Sequence, residues 1–160
     1  MKKLKIYLDT SFIGYLYQPT MPKEQADTRQ LLHLIKQGKY SVCISDVVVG
    51  ELMKTGNAEV KSILLNYLAE IDYTIIETSD EARDIAETIK SLGILTEKSH
   101  DDCLHIGNAM SNDCDVLVSW NFKHLVNIDT IQGVRAISDL KNYKTLNIVQ
   151  PTMLIQGGEK

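Results

Sequence analysis

The feature that most narrows the fold is an alternation between two hydrophobic periods. Short β-rich runs with few charges, "LKIYLD" (4–9), "YSVCIS" (40–45) and "DVLVSW" (115–120), are bounded by polar breaks, and "YTIIET" (73–78) and "TLNIVQ" (145–150) are weaker runs of the same kind. Between them lie stretches of helical period. In "EQADTRQLLHLIKQG" Leu31, Leu32, Leu34 and Ile35 supply the apolar residues and Gly38 a stop. In "SDEARDIAETIKSLG" the face is Ala82, Ile85, Ala86, Ile89 and Leu92, with Ser79 as N-cap, acids in the first turn and Gly93 at the end. Continuous apolar strands must be covered on both sides, and right-handed crossovers put helices there. The pattern predicts an α/β fold with a central, mainly parallel sheet of four to five strands.

A chain of 160 residues, 44% of them hydrophobic, suits one domain and is too short for two ordinary ones. We expect a single domain over 1–150 and a C-terminal tail over 151–160, broken at Pro151 and closing on Gly157 and Gly158, after a docking strand. The opening "MKKLKIYLD" is basic, but its apolar run is too short for a signal peptide, and no other stretch approaches a membrane span. A soluble, cytoplasmic protein without membrane contact is expected. Cys43, Cys103 and Cys114 are odd in number and widely spaced, which points to small core hydrophobes. A net charge of -4 argues against nucleic-acid binding through a broad basic surface. It leaves open a phosphate site bridged by divalent ions, where a local surplus of carboxylates is expected.

In parallel sheets, function sits beyond the carboxyl ends of the strands. Asp9, Thr10 and Ser11 fall there, after the first run. After the second, Ser45 or Asp46 can cap a short helix, and the simplest reading of Asp46 is that cap. Glu51 lies inside an apolar stretch, where an acid needs a partner, exposure or a cation. The segment 97–114 reads as a helix opened by Asp101 and Asp102, both also well placed for the helix dipole. Asp102 shares the face of His105, Ile106 and Ala109, which makes it the inward acid. His100 and His105 are five apart, without metal spacing, and read as structural or surface residues; Asp115 reads as a turn residue. Trp120 reads as a packing residue. Ser119, Asn121, Lys123 and His124 return to the same edge, and Lys123 could contact a phosphate. Asp9, Glu51 and Asp102, with Asn121 as a fourth position, form an oxygen-rich set that selects Mg²⁺ or Mn²⁺ over Zn²⁺.

Taken together, "LDTSFIGYL", "GEL", "HDDCLHIGNAM" and "DVLVSWNFKHL" resemble the PIN-domain family, whose best-known members are the VapC-type toxins of toxin–antitoxin pairs, over roughly residues 4 to 126. The resemblance implies a three-layer α/β/α sandwich and a Mg²⁺- or Mn²⁺-dependent endoribonuclease. It assigns metal binding to Asp9, Glu51 and Asp102, and support of the first acid to Thr10 or Ser11. The family's fourth acid is here Asn121, whose amide oxygen could orient water but brings no charge. Asp101, Ser119 and Lys123 would stand behind the metal ligands or meet substrate. The resemblance also implies an RNA substrate, an antitoxin protein partner and a homodimer. The alternative is a PIN-like module that binds RNA or protein without cutting. Other α/β hydrolases and nucleotide binders fit less well. A haloacid-dehalogenase-type site needs an Asp where Ser11 stands, and "DTSFIG" is not a dinucleotide-binding glycine turn.

Overall fold

The first apolar run of the chain becomes the middle of the sheet. In the computed structural model, which describes residues 2–156, Lys5–Leu8 (β1) carries Ile6, Tyr7 and Leu8 with no exposed surface. Parallel partners flank it: Ser41–Ser45 (β2) on one side, with Ile6 opposite Val42, and Val116–Val118 (β4) on the other, with Ile6 opposite Val116. Thr74–Ile76 (β3) and Asn147–Val149 (β5) form the edges, giving the order β3-β2-β1-β4-β5 with every pairing parallel. All five runs read as strands in the sequence are strands here.

The helices are Thr10–Tyr15 (α1), Pro22–Lys36 (α2), Asp46–Met53 (α3), Ala58–Ala69 (α4), Asp80–Ser91 (α5), His100–Ser111 (α6), Ile128–Lys141 (α7) and Thr152–Ile155 (α8), with a 3₁₀ turn over Glu97–Ser99 before α6. Helices α1 to α4 pack among themselves and α5 packs on α6 and α7, the separation that right-handed crossovers impose when the chain reverses direction across the sheet. Such a sandwich has one switch point. The chain leaves β1 toward β2 and β3, then returns to the far side of β1 as β4, so the crevice opens at the carboxyl ends of β1 and β4.

Local signals behave as chemistry dictates. Ser79 accepts from the Ala82 amide, and Gly38 and Gly93 sit at φ 82° and 74°, where a side chain is strained. Asp46 is not the cap of α3. Ser45 accepts from the Val47 amide, while Asp46 is turned to the Thr78 amide and hydroxyl. Asn57 and Asn127 cap α4 and α7, two helices too weakly patterned to stand out in the sequence. Beyond Pro151 the chain packs where a loose segment was expected: α8 lies on α2, with Thr152 Oγ1 donating to Asp27 Oδ2 at 2.8 Å and Tyr40 Oη to the Leu154 carbonyl at 3.2 Å. The expected glycine-rich end lies outside the described residues. Among the described residues no helix is long and apolar enough to cross a membrane.

Helices α5 and α6 meet backbone to backbone at Gly107, where a Cβ would collide with the Ala82 carbonyl oxygen. Gly107→Ala must push α5 off α6, a loss of about 1–3 kcal/mol. A fall of several degrees in the thermal midpoint, at unchanged far-ultraviolet dichroism, is the expected result, and calorimetry checks it.

Candidate functional site

Asp9 follows β1 directly and is 2% exposed. Its Oδ1 accepts from the Ser11 hydroxyl at 2.7 Å and from the Phe12 amide at 3.0 Å, so the carboxylate is also the N-cap of α1. Its Oδ2 accepts from Ser119 Oγ at 2.6 Å. Both hydroxyls donate, because an ionised carboxylate only accepts, and each in turn accepts a backbone N–H from the segment after β4: Trp120 N to Ser11 Oγ at 2.8 Å, and Asn121 N to Ser119 Oγ at 2.9 Å. Burial nevertheless dominates and raises the Asp9 pKa, against the pull of His105 and the two hydroxyls.

Glu51 projects from α3. Its Oε1 accepts from Thr10 Oγ1 at 2.6 Å and from His105 Nε2 at 2.7 Å. The hydroxyls left open by the resemblance thus divide: Ser11 serves Asp9 and Thr10 serves Glu51. Burial raises the Glu51 pKa, but His105, Thr10 and Lys54 together bring it below the usual carboxylate range. Asp102, half-buried in the first turn of α6, is raised, first by burial and further by the charges of Asp9 and Glu51, with His105 and His124 opposing.

Behind these acids runs a buried polar column that sequence reasoning missed. Ser45 Oγ lies 2.7 Å from Tyr7 Oη, Tyr7 Oη 2.7 Å from His105 Nδ1, and His105 Nε2 reaches Glu51. His105 is therefore no surface residue; it is the basic group that meets Glu51 among the acids. Burial alone would lower its pKa; the hydrogen bond to Glu51 and the charges of Asp9, Glu51 and Asp102 outweigh that and raise it. The available signals were His105 three residues after Asp102 on one helix face, and a lone phenol inside an apolar strand.

Asn121 differs from expectation. Its Oδ1 accepts the His124 amide at 3.0 Å, which turns Nδ2 toward Asp102 at 3.3 and 3.4 Å. It offers the cluster N–H groups, not an amide oxygen. Asp101 is exposed and lines a cavity of about 310 Å³ with Lys54 and Arg83, beside Glu51 and outside the group formed by Asp9, Glu51 and Asp102. Lys123 is exposed on the turn after Asn121. Asp115, read as a turn residue, pairs with Lys144 and the Lys5 amide at the opposite end of the sheet. Trp120 is buried as a packing residue and donates from Nε1 to Thr28.

Among the described residues no three His, Cys, Asp or Glu side chains close on one point as a finished metal cage. The donors are still of the right kind for a hard divalent ion. They are carboxylate oxygens only, Glu51 meets its protein partners through Oε1 alone, and Asp102 receives only long contacts.

Fold and site define an α/β/α protein with an acidic cluster at the β1/β4 switch point. The family model of the PIN domain matches residues 6–123, and the chain belongs to the PIN-domain family. Among solved structures it is similar in fold to VapBC2 of Rickettsia felis bound to a DNA fragment from its promoter (16% identity, TM-score 0.58, covering 92% of this chain and 98% of that one). It is similar also to VapBC-1 of nontypeable Haemophilus influenzae (19%, 0.58, 93% and 99%). A third is VapC20 of Mycobacterium tuberculosis, a sarcin–ricin loop cleaving toxin (13%, 0.53, 74% and 92%). Comparison with curated proteins gives no match.

Since the folded pKa of Asp102 lies above its unfolded value of about 3.9, its protonation stabilises the fold at low pH, and that contribution fades as pH rises through the folded value. At neutral pH the charge is a burden. Without divalent ions, Asp102→Asn is expected to melt a few degrees higher than wild type at pH 7, a gain of about 1 kcal/mol, with the gap closing toward acid. Calorimetry across pH checks this; a variant no more stable than wild type contradicts it.

Proposed function

We propose that the protein is a metal-dependent endoribonuclease, acting as the toxin of a toxin–antitoxin pair, with Mg²⁺ or Mn²⁺ held by Asp9, Glu51 and Asp102. The observation that carries the reading is Asp9: a buried carboxylate at the switch point, clamped on both oxygens, facing two further carboxylates and no thiol. Stability alone does not require such an arrangement, because burying and crowding acids is costly. Membership of the PIN-domain family supports it.

A divalent ion bound there would offset the charge on a phosphodiester and make water a stronger nucleophile. The chain's own groups orient the site. Ser11 and Ser119 fix the plane of the Asp9 carboxylate, and Thr10 and His105 fix Glu51. Asn121 positions Asp102 through Nδ2 and is not itself a ligand, so one tight metal position is expected. The RNA substrate, an inhibiting antitoxin, a homodimeric state and a cytoplasmic location belong to the same reading. The alternative, a PIN-like module that binds RNA or protein without cutting, draws on the N–H groups that Asn121 turns toward Asp102.

Cleavage of single-stranded and structured RNAs in Mn²⁺, Mg²⁺ and EDTA tests the proposal. Asp9→Asn should lose at least about 100-fold in rate, and Ser119→Ala about 10- to 100-fold, the range for groups that orient metal ligands. Mn²⁺ should also raise the thermal midpoint of wild type and leave that of Asp9→Asn in place. RNA cutting that ignores EDTA and Asp9→Asn would end the nuclease assignment to this cluster.

A further inference from the structure

Beside the carboxylates lies a second cavity, of about 270 Å³, that the metal site does not use. Its floor is aromatic. Trp120 stacks on Tyr15, with ring centroids 5.4 Å apart and planes at 23°, and Phe122 meets Trp120 edge-on at 6.0 Å and 75°. Trp120 is buried, but Phe122 is 50% exposed, an unusual place for a phenyl ring in a chain with only two phenylalanines. Nor is the ring on a slack loop. The Phe122 amide donates to the Trp120 carbonyl at 3.0 Å, the Leu125 and Val126 amides close on the Asn121 carbonyl at 2.9 Å, and Asn121 Oδ1 holds the His124 amide. Phe122 is thus presented by a rigid turn.

The cavity is tied to the carboxylates through one residue. Ser11 donates to Asp9 and accepts from the amide of Trp120, so the backbone of a cavity-lining residue is held two hydrogen bonds from the first acid. The rim carries Lys23 and Gln150 as donors and Glu24 and Asp27 as acceptors. Two carboxylates against one ammonium disfavour a phosphate. They suit a neutral planar group with N–H and carbonyl edges. Ring faces inside and mixed hydrogen-bonding groups at the mouth match a nucleobase, since base–aromatic stacking tolerates any base and polar edges add preference. An aliphatic side chain of a protein partner would leave that rim unused.

We infer that this cavity is a base-binding subsite, in which Phe122 and Tyr15 stack an unpaired nucleobase of the RNA while the backbone passes the carboxylates. The inference rests on the endoribonuclease reading and adds to it a requirement for a single-stranded, flipped-out base near the cut. Helix α8 completes the subsite, because Thr152 lines it and is pinned to Asp27.

Trp120 is the only tryptophan of the chain, so its fluorescence reports on the cavity directly. The experiment titrates the full chain, in EDTA to prevent cutting, with a short single-stranded RNA of mixed sequence and with a ribose-phosphate oligomer of the same length lacking bases. The RNA should quench Trp120 and the abasic oligomer should not. Phe122→Ala should weaken RNA binding about 5- to 100-fold, the range for loss of one stacked base, and Phe122→Tyr should restore it. The thermal midpoint, read alongside, should be little changed, because Phe122 is half exposed. Equal binding of both oligomers, or full RNA affinity in a folded Phe122→Ala, overturns the subsite, and cleavage by that same protein would leave the nuclease reading standing. Base-dependent quenching in a protein that never cuts RNA supports the subsite and removes the nuclease.

Discussion

Everything at the functional edge depends on keeping one desolvated carboxylate in place. Asp9 lies where water is excluded, and burial works against its charge. It is tolerated because two serine hydroxyls and an amide donate to it, and each serine is in turn held in place by a backbone N–H from the segment after β4. The clamp therefore exists only while β1 and β4 are neighbours. Strand order, the feature farthest from chemistry, determines whether the first acid of the cluster has a defined orientation.

A second constraint runs through the sheet. Tyr7 is a core residue by burial and a polar one by chemistry, and its phenol is satisfied only by Ser45 on β2 and His105 on α6. His105 then offers Glu51 a donor backed by a rigid partner. The hydrogen bond to Glu51 and then the charges of Asp9, Glu51 and Asp102 raise the pKa of His105 against its burial, while burial first, and then Asp9 and Glu51, raise that of Asp102. The acid cluster is thus partly neutralised from within the core.

Much of this could be read from the chain before its structure. Five strands were legible because each is a short apolar run with polar ends, and the three acids were legible because charge in such positions needs a reason. What stayed hidden depends on distance in sequence or on one hydrogen bond. Tyr7 and His105 are 98 residues apart, His105 and Glu51 54, and nothing local links them. Asn121 carries an oxygen and a nitrogen at nearly the same place, and only the His124 amide decides which faces Asp102. The docking of α8 follows from Asp27 on α2 and Tyr40, the residue before β2, reaching across to it. The metal-binding roles of Asp9, Glu51 and Asp102 remain the proposal made above.

The stretch from Ser119 to Phe122 joins two environments. Ser119 and Asn121 turn to the carboxylates, while Trp120 and Phe122 turn to the aromatic cavity. Four consecutive residues thus serve two surfaces, and their number matters as much as their identity. Because the backbone here is a hydrogen-bonded turn and not a strand, inserting or deleting a single residue would displace the Ser119 hydroxyl from Asp9 and the Phe122 ring from the cavity at once.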